Sequence, residues 1–366
     1  MQIAYVINSM EGGGAASPVP AITGVMRNYG VNVAVFALTR RNGHAIAAIE
    51  AAGLDLFVRP GGEHDHLAAL RWLDKAISDW GATHIWTSLT RATLLGQLVG
   101  RKRGLPVVSW QHNAFLKPVN LRLLRAMRGF SKLWVADSRS VADLTAQRLG
   151  ISADRLFTWP IFSANPDAPV AREWRMGETI RVGSLGRLHP AKGYDVLIAA
   201  LVKLGSQGFS PPAPFELLIA GEGADRSRLE AALAQANFSN IRLVGHISDP
   251  KPFLASLHLY VQPSRREGFC IAAHEAMQAG VPVLASSVGE LVHSVVPGVT
   301  GELVPPENIG SLAQALKNLL ENPARLARMG RQARAAILDS YSAERFAAAG
   351  FTILSQLAAG TSGQRR

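Results

Sequence analysis

The chain has very little cysteine and no long hydrophobic run. Cys270 is the single cysteine among 366 residues, which excludes an internal disulfide framework and is typical of a reducing cytoplasm. No stretch approaches the ~18 uninterrupted apolar residues that mark a membrane span. The N-terminus lacks the basic segment of a signal peptide, and residues 1–7 run directly into a glycine loop, which predicts a first strand. These features together predict a cytoplasmic protein.

Acidic residues are missing from one long segment. Residues 80–136 contain no Asp or Glu, in a chain whose formal net charge is +11. The segment contains nine basic residues, which are Arg91, Arg101, Lys102, Arg103, Lys117, Arg122, Arg125, Arg128 and Lys132. A field of one sign attracts polyanions, either nucleic acid or an anionic membrane. Scattered basic residues often form only a solvated face, but the exclusion of acids over this length favours a binding surface.

The order of predicted elements indicates two α/β domains. A chain of 366 residues exceeds one typical hydrophobic core. The strands predicted in the first half are residues 3–7, 33–37, 56–58, 84–87, 107–111 and 133–136. Helices are predicted over residues 18–29, 43–52, 66–80, 90–103 and 119–129. Alternation of this kind is typical of a parallel, doubly wound sheet.

A second alternation follows a proline-rich linker at residues 159–170. Its predicted strands are residues 180–183, 216–220, 241–244, 259–262, 283–285 and 301–304. We therefore expect one domain over residues 1–165 and a second domain over residues 166–340. An amphipathic helix is predicted over residues 341–359.

The most specific motif lies in residues 263–285. Glu267 and Glu275 lie eight residues apart, with a turn at Gly268 and a helical segment that ends at Gly280. Because seven residues make about two helical turns, Gly268 and Glu275 are predicted to share one helix face. The free N–H groups of the turn and the positive end of the helix dipole suit a phosphate, and both carboxylates suit sugar hydroxyls. A solvated helix face is the alternative for two isolated glutamates, but the whole segment favours a nucleotide-sugar site.

This segment resembles the signature of the retaining glycosyltransferase family 4, written "EGF…E-A-M-x-x-G-x-P-V". The resemblance implies the GT-B fold, in which two Rossmann-like doubly wound domains face a central cleft. It makes residues 1–165 the acceptor-side domain and residues 166–340 the nucleotide-sugar-binding domain, and it implies that the helix over residues 341–359 crosses back to the first domain. It also implies that Glu267 acts in catalysis. The residues that it assigns to donor binding are Gly268, Phe269, Cys270, Ile271 and Glu275. Cys270 stands where the family usually has glycine, and we interpret it as a small packing residue.

Two loops of the first half match the same family. Gly12 to Gly14 follow the first strand, and a loop without Cβ atoms lets the backbone approach a phosphate. Gly13 and Gly14 are therefore predicted to bind the donor. His112 follows a buried strand and matches the family's loop histidine, which contacts the transferred sugar. A structural histidine is the alternative.

Three loops of the second half complete the expected site. Residues 183–193 resemble the family's "GRL…KG" element, in which Gly186 frames the loop. Arg187 can bridge two phosphate oxygens and Lys192 adds a compact charge, so together they can neutralise a diphosphate leaving group. Gly221 lies in a G-x-G turn that resembles the family's nucleotide-lining turn. Ile247 belongs to a segment matching the one whose backbone faces the base.

The resemblance implies a retaining glycosyltransferase that moves a sugar from a nucleoside diphosphate donor to an acceptor hydroxyl by front-face substitution. We expect no cofactor beyond the donor substrate, and no metal ion, since Arg187, Lys192 and a helix N-terminus carry the charge. A sugar-nucleotide epimerase of the same architecture is the second hypothesis. A basic nucleic-acid-binding protein is the third, but it leaves the glutamate and Arg/Lys motifs without purpose, so we expect no nucleic-acid partner.

One helix of the basic segment suggests where the acceptor lies. Arg122, Arg125 and Arg128 recur at every third position, beside an apolar series formed by Leu121, Leu124 and Met127. This pattern predicts a basic amphipathic helix, and Lys132 follows it closely. The alternative is an ordinary domain helix with arginines on its outer face. We predict that the four basic residues bind the inner face of the cytoplasmic membrane, where the enzyme acts on a lipid-linked or cell-envelope saccharide.

Overall fold

A computed structural model describes residues 1–113 and 115–359. The chain divides into two units, one formed by Met1–Ser163 together with the chain from Glu344 onward, and the other by Ala164–Ala343. The first boundary falls two residues before the predicted one. Each unit contains one sheet in which every strand pairing is parallel.

The first unit has a seven-stranded sheet in the order β3-β2-β1-β4-β5-β6-β7. Its strands are β1 (Gln2–Ile7), β2 (Asn32–Ala37), β3 (Asp55–Val58), β4 (His84–Ser88), β5 (Val107–Gln111), β6 (Leu133–Ala136) and β7 (Leu156–Thr158). Its helices are α1 (Val19–Asn28), α2 (Ile46–Ala51), α3 (His66–Trp80), α4 (Thr90–Arg103), α5 (Pro118–Met127) and α6 (Arg139–Leu149). The strand order reverses between β1 and β4, and ligands of open α/β sheets bind outside the carboxyl ends of the strands at such a point.

Three tryptophans form the core on one side of the first sheet. Trp110 stacks on Trp159 with ring centroids 5.1 Å apart, and Trp86 meets Trp110 edge-on at 5.8 Å. The last described helix, α14 (Ala343–Ala359), brings Phe346 to within 5.5 Å of Trp159. A Cβ at Gly350 would lie 2.5 Å from the Trp159 ring, so α14 requires glycine where it crosses the indole.

The second unit has a six-stranded sheet in the order β10-β9-β8-β11-β12-β13. Its strands are β8 (Ile180–Leu185), β9 (Phe215–Ala220), β10 (Ile241–Gly245), β11 (Leu259–Gln262), β12 (Val283–Ser286) and β13 (Gly301–Val304). Its helices are α7 (Tyr194–Ser206), α8 (Arg226–Gln235), α9 (Pro250–Ala255), α10 (Ile271–Gln278), α11 (Leu291–Ser294), α12 (Ile309–Glu321) and α13 (Ala324–Ser340). The order reverses between β8 and β11, so the loops after these two strands lie side by side.

The predicted fold class is confirmed, because both units are parallel, Rossmann-like α/β sheets. Sequence reasoning did not predict α6 or β7, which lie between the last predicted strand of the first unit and the linker. α6 has an ordinary start signal, since the Ser138 side chain accepts a hydrogen bond from the Val141 N–H. β7 has three residues, too few to show a periodic pattern.

The start of α10 corrects one prediction. The helix begins at Ile271, so Gly268 precedes it and Glu275 is its fifth residue, just over one turn in. Gly268 and Glu275 therefore do not share a face of one helix. The Glu290 N–H donates to the Gly268 carbonyl at 2.9 Å, and Cys270 has a left-handed φ of 66°. Both features hold the chain before Ile271 outside helical geometry.

Candidate active site

The second unit gathers four loops at the carboxyl edge of its sheet, after β8, β9, β10 and β11. The loop after β8 pairs with the loop after β9, since the Leu188 N–H donates to the Glu222 carbonyl at 2.9 Å. A Cβ at Gly221 would lie 2.0 Å from the Gly186 carbonyl oxygen, and one at Gly223 would lie 2.1 Å from that of Leu188. The glycines of this turn therefore allow the backbones of the two loops to contact each other. They also lie at the carboxyl edge of the sheet.

Lys192 and Glu267 form one ion pair at this edge. Lys192 Nζ lies 2.7 Å from Glu267 Oε1, and the Glu267 side chain is 9% exposed. Ser264 Oγ at 2.6 Å and Gln262 Nε2 at 3.1 Å donate to the same oxygen. The sequence placed Lys192 with the diphosphate and Glu267 with the sugar, whereas the structure joins the two residues directly. The sequence did not point to Gln262 or Ser264, which lie at the end of β11 and in the loop after it.

The electrostatics of this pair keep Lys192 charged. Burial of the ammonium is the largest single effect and opposes the charge, but the neighbouring groups, chiefly the Glu267 carboxylate, together raise the pKa of Lys192. The next residue, Gly193, has a φ of +67°, and a Cβ there would lie 2.0 Å from the Pro263 carbonyl oxygen. The Arg265 N–H also donates to the Ala191 carbonyl at 2.9 Å. The loop that holds Lys192 is thus fixed to the loop that holds Glu267.

Arg187 lies on the same loop as Lys192 but is used differently. Its side chain is exposed, and within residues 1–113 and 115–359 it has no hydrogen-bond or ion-pair partner. A Cβ at the preceding Gly186 would lie 3.0 Å from the Tyr194 hydroxyl and 3.4 Å from Lys192 Cε. Glycine therefore lets the loop pass Lys192 closely, and Arg187 extends from it with a guanidinium that can bind an anion.

Glu275 is a half-buried carboxyl on α10. Burial raises the pKa of Glu275 to about 7, with Lys251 opposing this shift and Asp249 adding to it. Among the residues that the structure describes, its side chain has no hydrogen-bond partner. A carboxyl of this kind suits the hydroxyls of a sugar, because their hydrogen bonds would stabilise its charged form.

In the segment between the two glutamates, the main-chain atoms are available to a ligand and the side chains are not. Phe269 is buried and stacks on His274 with ring centroids 4.0 Å apart. Burial raises the pKa of the Cys270 thiol, which lies beside the Glu267 carboxylate, and the side chain packs as expected. Phe269 and Cys270 can therefore meet a donor only through main-chain atoms. Ile271 begins α10, and the first N–H groups of a helix lack partners within it, which suits an anion.

Ile247 lies farther along the same edge, in the loop after β10. Its side chain is half-buried. The loop is held to the site because the Gly221 N–H donates to the Gly245 carbonyl at 2.7 Å. The structure thus brings the predicted base-facing loop next to the G-x-G turn. Within the described residues, no hydrogen bond joins Ile247 to Lys192 or Glu267.

The first unit presents its predicted loops at the carboxyl edge of its own sheet. Gly13 and Gly14 are exposed after β1, and Gly13 has a φ of +135°. The Ser17 N–H donates to the Gly13 carbonyl at 3.0 Å, which folds the loop back as it enters α1. A Cβ at Gly13 would meet nothing within 4 Å, so backbone conformation, and not space, requires glycine there.

His112 follows β5 and is almost buried, with its side chain 8% exposed. Its Nε2 lies 2.6 Å from Ser88 Oγ and its Nδ1 lies 3.6 Å from Asp137 Oδ2. The ring also stacks on Trp110, with centroids 5.7 Å apart. Sequence reasoning missed Ser88 and Asp137. The available signal was their position, because one ends β4 and the other directly follows β6.

The described residues contain neither a metal-ligand cluster nor a membrane-spanning helix. Within the described ranges, no three His, Cys, Asp or Glu side chains are grouped as metal ligands. The helices in those ranges are also too short or too polar to cross a bilayer.

The fold and these loops define a two-domain α/β protein of the GT-B class, and comparison with known proteins agrees. Residues 172–336 match the family described as "Glycosyl transferases group 1", and residues 12–162 match the family described as "Glycosyltransferase Family 4". The chain belongs to the group 1 glycosyltransferases of family 4.

Curated relatives share about a third of their residues with this chain over the matched part. Glycogen synthase of Mycobacterium tuberculosis is 34% identical over 205 residues, which is 55% of this chain and 45% of that protein. Lipopolysaccharide core biosynthesis mannosyltransferase LpcC of Rhizobium leguminosarum bv. viciae is 31% identical over 170 residues, 46% of this chain and 48% of that protein. The chain thus spans about half the length of the curated relatives it matches.

Solved structures match nearly the whole chain in fold. Anabaena Alr3699/HepE in complex with UDP-glucose has a TM-score of 0.84 at 20% identity, over 97% of this chain and 100% of that one. Sucrose-phosphate synthase from Thermosynechococcus elongatus has a TM-score of 0.78 at 19% identity, over 98% and 100% of the two chains. At these identities the likeness concerns the fold.

Proposed function

We propose that this protein is a retaining glycosyltransferase that uses a nucleoside diphosphate sugar as donor and a saccharide hydroxyl as acceptor. The observation that carries the proposal is the arrangement at the carboxyl edge of the second sheet. There, the Lys192–Glu267 pair and the guanidinium of Arg187, which has no partner among the described residues, occupy adjacent loops, and the half-buried carboxyl of Glu275 lies on α10, which follows one of these loops. Cations for a diphosphate and carboxylates for hydroxyls are what a nucleotide sugar requires. The neighbour Alr3699/HepE was solved with UDP and with UDP-glucose, which supports this class of donor.

The proposed chemistry is front-face substitution. The acceptor oxygen forms a bond to the anomeric carbon on the face from which the diphosphate leaves, and the carbon–oxygen bond to the diphosphate breaks. The acceptor proton passes to an oxygen of the leaving diphosphate. Arg187, Lys192 and the N-terminus of α10 would stabilise the charge that develops on that group, so no metal ion is needed. Glu267 and Glu275 would hold donor hydroxyls, and His112 would contact the transferred sugar.

The proposal is tested by measuring donor binding and then transfer. A panel of nucleoside diphosphate sugars is screened for a rise in Tm, and the best donor is assayed for nucleoside diphosphate release with and without saccharide acceptors. We expect acceptor-dependent release that persists in a chelator, and a product whose anomeric configuration, read by NMR, equals that of the donor.

Other outcomes of these assays are equally informative. Inversion of the configuration would exclude the retaining mechanism. Conversion of the donor into its epimer without transfer would indicate the epimerase, and complete loss of activity in chelator would exclude metal independence. The variant Arg181→Ala serves as the charge control, because Arg181 lies on β8 far from its carboxyl end and pairs with Glu216.

The acceptor side of the proposal concerns an anionic membrane. Arg122, Arg125 and Arg128 are exposed on α5 and the turn that follows it, and the apolar side chains Val119 and Leu123 beside them are 63% and 43% exposed. Basic residues that flank exposed apolar residues are typical of a helix that lies in a membrane interface. We therefore propose that α5 contacts the inner face of the cytoplasmic membrane and that the acceptor is lipid-linked.

Two groups of residues that the sequence assigned to this surface are not available to a membrane in the structure. Leu124 is fully buried and packs with Trp134 and Leu149, so the predicted apolar series faces the core. Lys132 does not extend from the same surface: its Nζ donates to the Leu357 carbonyl at 3.1 Å, and burial lowers the pKa of Lys132. A lysine held in this way is poorly placed to bind lipid headgroups.

Sedimentation with anionic liposomes tests the membrane proposal. We expect binding that fades with salt and is lost in Arg122/Arg125/Arg128→Glu, since each basic residue contributes ~1 kcal/mol near an anionic surface. The matched control Arg325/Arg328/Arg331→Glu removes the same charge from α13 and should still sediment. Equal loss in both variants would mean that net charge alone decides binding, and no sedimentation of the wild type would leave a soluble acceptor.

A further inference from the structure

Three polar side chains meet where three neighbouring strands of the first sheet end. Ser88 is the last residue of β4, His112 follows β5 directly, and Asp137 follows β6 directly. His112 Nε2 lies 2.6 Å from Ser88 Oγ, and His112 Nδ1 lies 3.6 Å from Asp137 Oδ2. Ser88 is fully buried, and the side chains of His112 and Asp137 are 8% and 3% exposed. Their contacts therefore decide which ring nitrogen carries the proton.

We infer that Asp137 and Ser88 are positioning residues that hold His112 in the tautomer protonated at Nδ1, so that Nε2 is a hydrogen-bond acceptor. The inference rests on the proposed function only in taking His112 to contact the transferred sugar. At Nε2, a ring held in this way can accept a hydrogen bond from a sugar hydroxyl in exchange for the one from Ser88, and it cannot donate one from this nitrogen. His112 would therefore select donors that present an O–H at this point.

The position of Asp137 is fixed by the backbone. Its N–H donates to the Gln111 carbonyl at 3.3 Å, directly before His112. An ionised carboxylate can only accept hydrogen bonds. A proton on His112 Nδ1 is thus attracted to it, while a lone pair on that nitrogen would face negative charge. Nδ1 is buried and has no hydrogen-bond partner at ordinary distance, and contacts of this kind often shorten when a substrate binds.

Ser88 completes the arrangement on the other side of the ring. In the neutral imidazole the nitrogen without a proton accepts, so the Ser88 hydroxyl donates to Nε2. Ser88 pairs with Ile7 and with Trp110 in the sheet, which fixes its backbone on both sides. The next residue, Leu89, has φ 76° and ψ 160°, a region that residues other than glycine rarely adopt. The chain therefore leaves β4 by a sharp turn immediately after the serine.

The full burial of Ser88 excludes a different reading of the same three residues. A serine, a histidine and an aspartate in this order resemble the triad of a hydrolase. A nucleophilic hydroxyl must reach its substrate, however, and Ser88 is 0% exposed. Ser88 can orient His112 but is not placed to attack a substrate.

The tautomer is measured by ¹⁵N NMR of the imidazole nitrogens in the full chain without added nucleotide, with His112→Ala for assignment. We expect a protonated Nδ1 in the wild type and in Ser88→Ala, and a substantial fraction of the Nε2-protonated form in Asp137→Asn. His84 and His274, which are buried elsewhere, serve as internal controls and should be unchanged. A wild-type ring protonated at Nε2, or an Asp137→Asn ring that keeps the wild-type tautomer, would overturn the inference.

Kinetics then separate positioning from a merely structural role. Asp137→Asn should lower kcat roughly 10- to 100-fold, the scale of losing one hydrogen bond to a charged group. Its affinity for the bare nucleoside diphosphate should stay within about twofold, because His112 contacts the sugar. An unchanged kcat would contradict the inference. If no transfer occurs in the wild type but the tautomers are as expected, the proposed function fails and the positioning of His112 stands.

Discussion

Lys192 Nζ lies 2.7 Å from Glu267 Oε1, although the two residues are 75 positions apart in the chain. The cation assigned to the diphosphate and the carboxylate assigned to the sugar thus stabilise each other within the protein. In the proposed mechanism, an incoming diphosphate would share the ammonium with Glu267. The pair would then hold Lys192 in place in advance, so that little reorganisation would be needed when charge develops on the leaving group.

Breaking this pair from one side should be costly. Lys192→Met leaves the carboxylate of Glu267 buried without its cation, and we expect a loss of roughly 2–4 kcal/mol in the free energy of unfolding. The double variant Lys192→Met/Glu267→Gln should lose less than the sum of the single variants, as measured by urea denaturation. Arg228→Met, at a more exposed pair with Asp225, should cost under about 1 kcal/mol. Strict additivity in the double variant would show that the two groups do not depend on each other.

Arg187 should matter for turnover and not for stability. Its guanidinium has no partner among the described residues, so Arg187→Ala should leave the free energy of unfolding nearly unchanged. The same variant should lower kcat by an amount equivalent to roughly 2–4 kcal/mol, because it removes a preorganised positive charge that stabilises the leaving group. Arg181→Ala, which alters the other end of β8, should retain wild-type turnover. If Arg187→Ala kept most of its kcat, the diphosphate role of Arg187 would be excluded.

Glu275 should make stability depend on pH. Burial raises the pKa of its carboxyl to about 7 from an ordinary value of 4.5, so the folded protein keeps a proton that the unfolded chain releases. The stability from this proton is fully present below the unfolded pKa and is lost as the pH rises through about 7. Glu275→Gln removes this dependence. The free energy of unfolding of the variant, relative to that of the wild type, should therefore be higher at pH 8 than at pH 5 by roughly 2–3 kcal/mol. Urea titrations at both pH values measure this.

The control for Glu275 is another glutamate of the same unit. Glu230 is 50% exposed, and Glu230→Gln should follow the wild-type pH dependence. A constant difference between Glu275→Gln and the wild type across this range would contradict a proton held by Glu275.

Two glycines with the same backbone conformation should respond differently to alanine. Gly193 and Gly208 have φ values of +67° and +70°, but a Cβ at Gly193 would lie 2.0 Å from the Pro263 carbonyl oxygen, while one at Gly208 would meet nothing within 4 Å. Gly208→Ala should therefore cost about 1 kcal/mol for the left-handed backbone alone. Gly193→Ala adds a clash and should cost roughly 3 kcal/mol or more. Equal losses in thermal or urea unfolding would mean that the contact with Pro263 does not restrain the loop.

Local sequence patterns predicted much of the fold and the placement of the site. Four predicted strands, residues 107–111, 133–136, 259–262 and 301–304, agree with the observed bounds of β5, β6, β11 and β13. Runs of apolar residues predict strands that are buried on both faces, and the loop glycines predict backbone positions that cannot carry a Cβ. Both predictions depend on the local sequence alone and need no knowledge of which residues lie nearby in the fold. Since ligands bind after the carboxyl ends of parallel strands, this information also located the loops that hold His112, Lys192 and Glu267.

The choice of partners was decided only by the tertiary structure. Glu267 meets Lys192 because β8 lies beside β11 in the second sheet. His112 lies between Ser88 and Asp137 because β4, β5 and β6 lie side by side in the first sheet. The helix start at Ile271 likewise depends on the contact of Gly268 with Glu290, which is distant in the chain. Periodicity within a segment reports the environment of each side chain. Strand order and register, which arise from packing across the whole sheet, determine which polar groups meet.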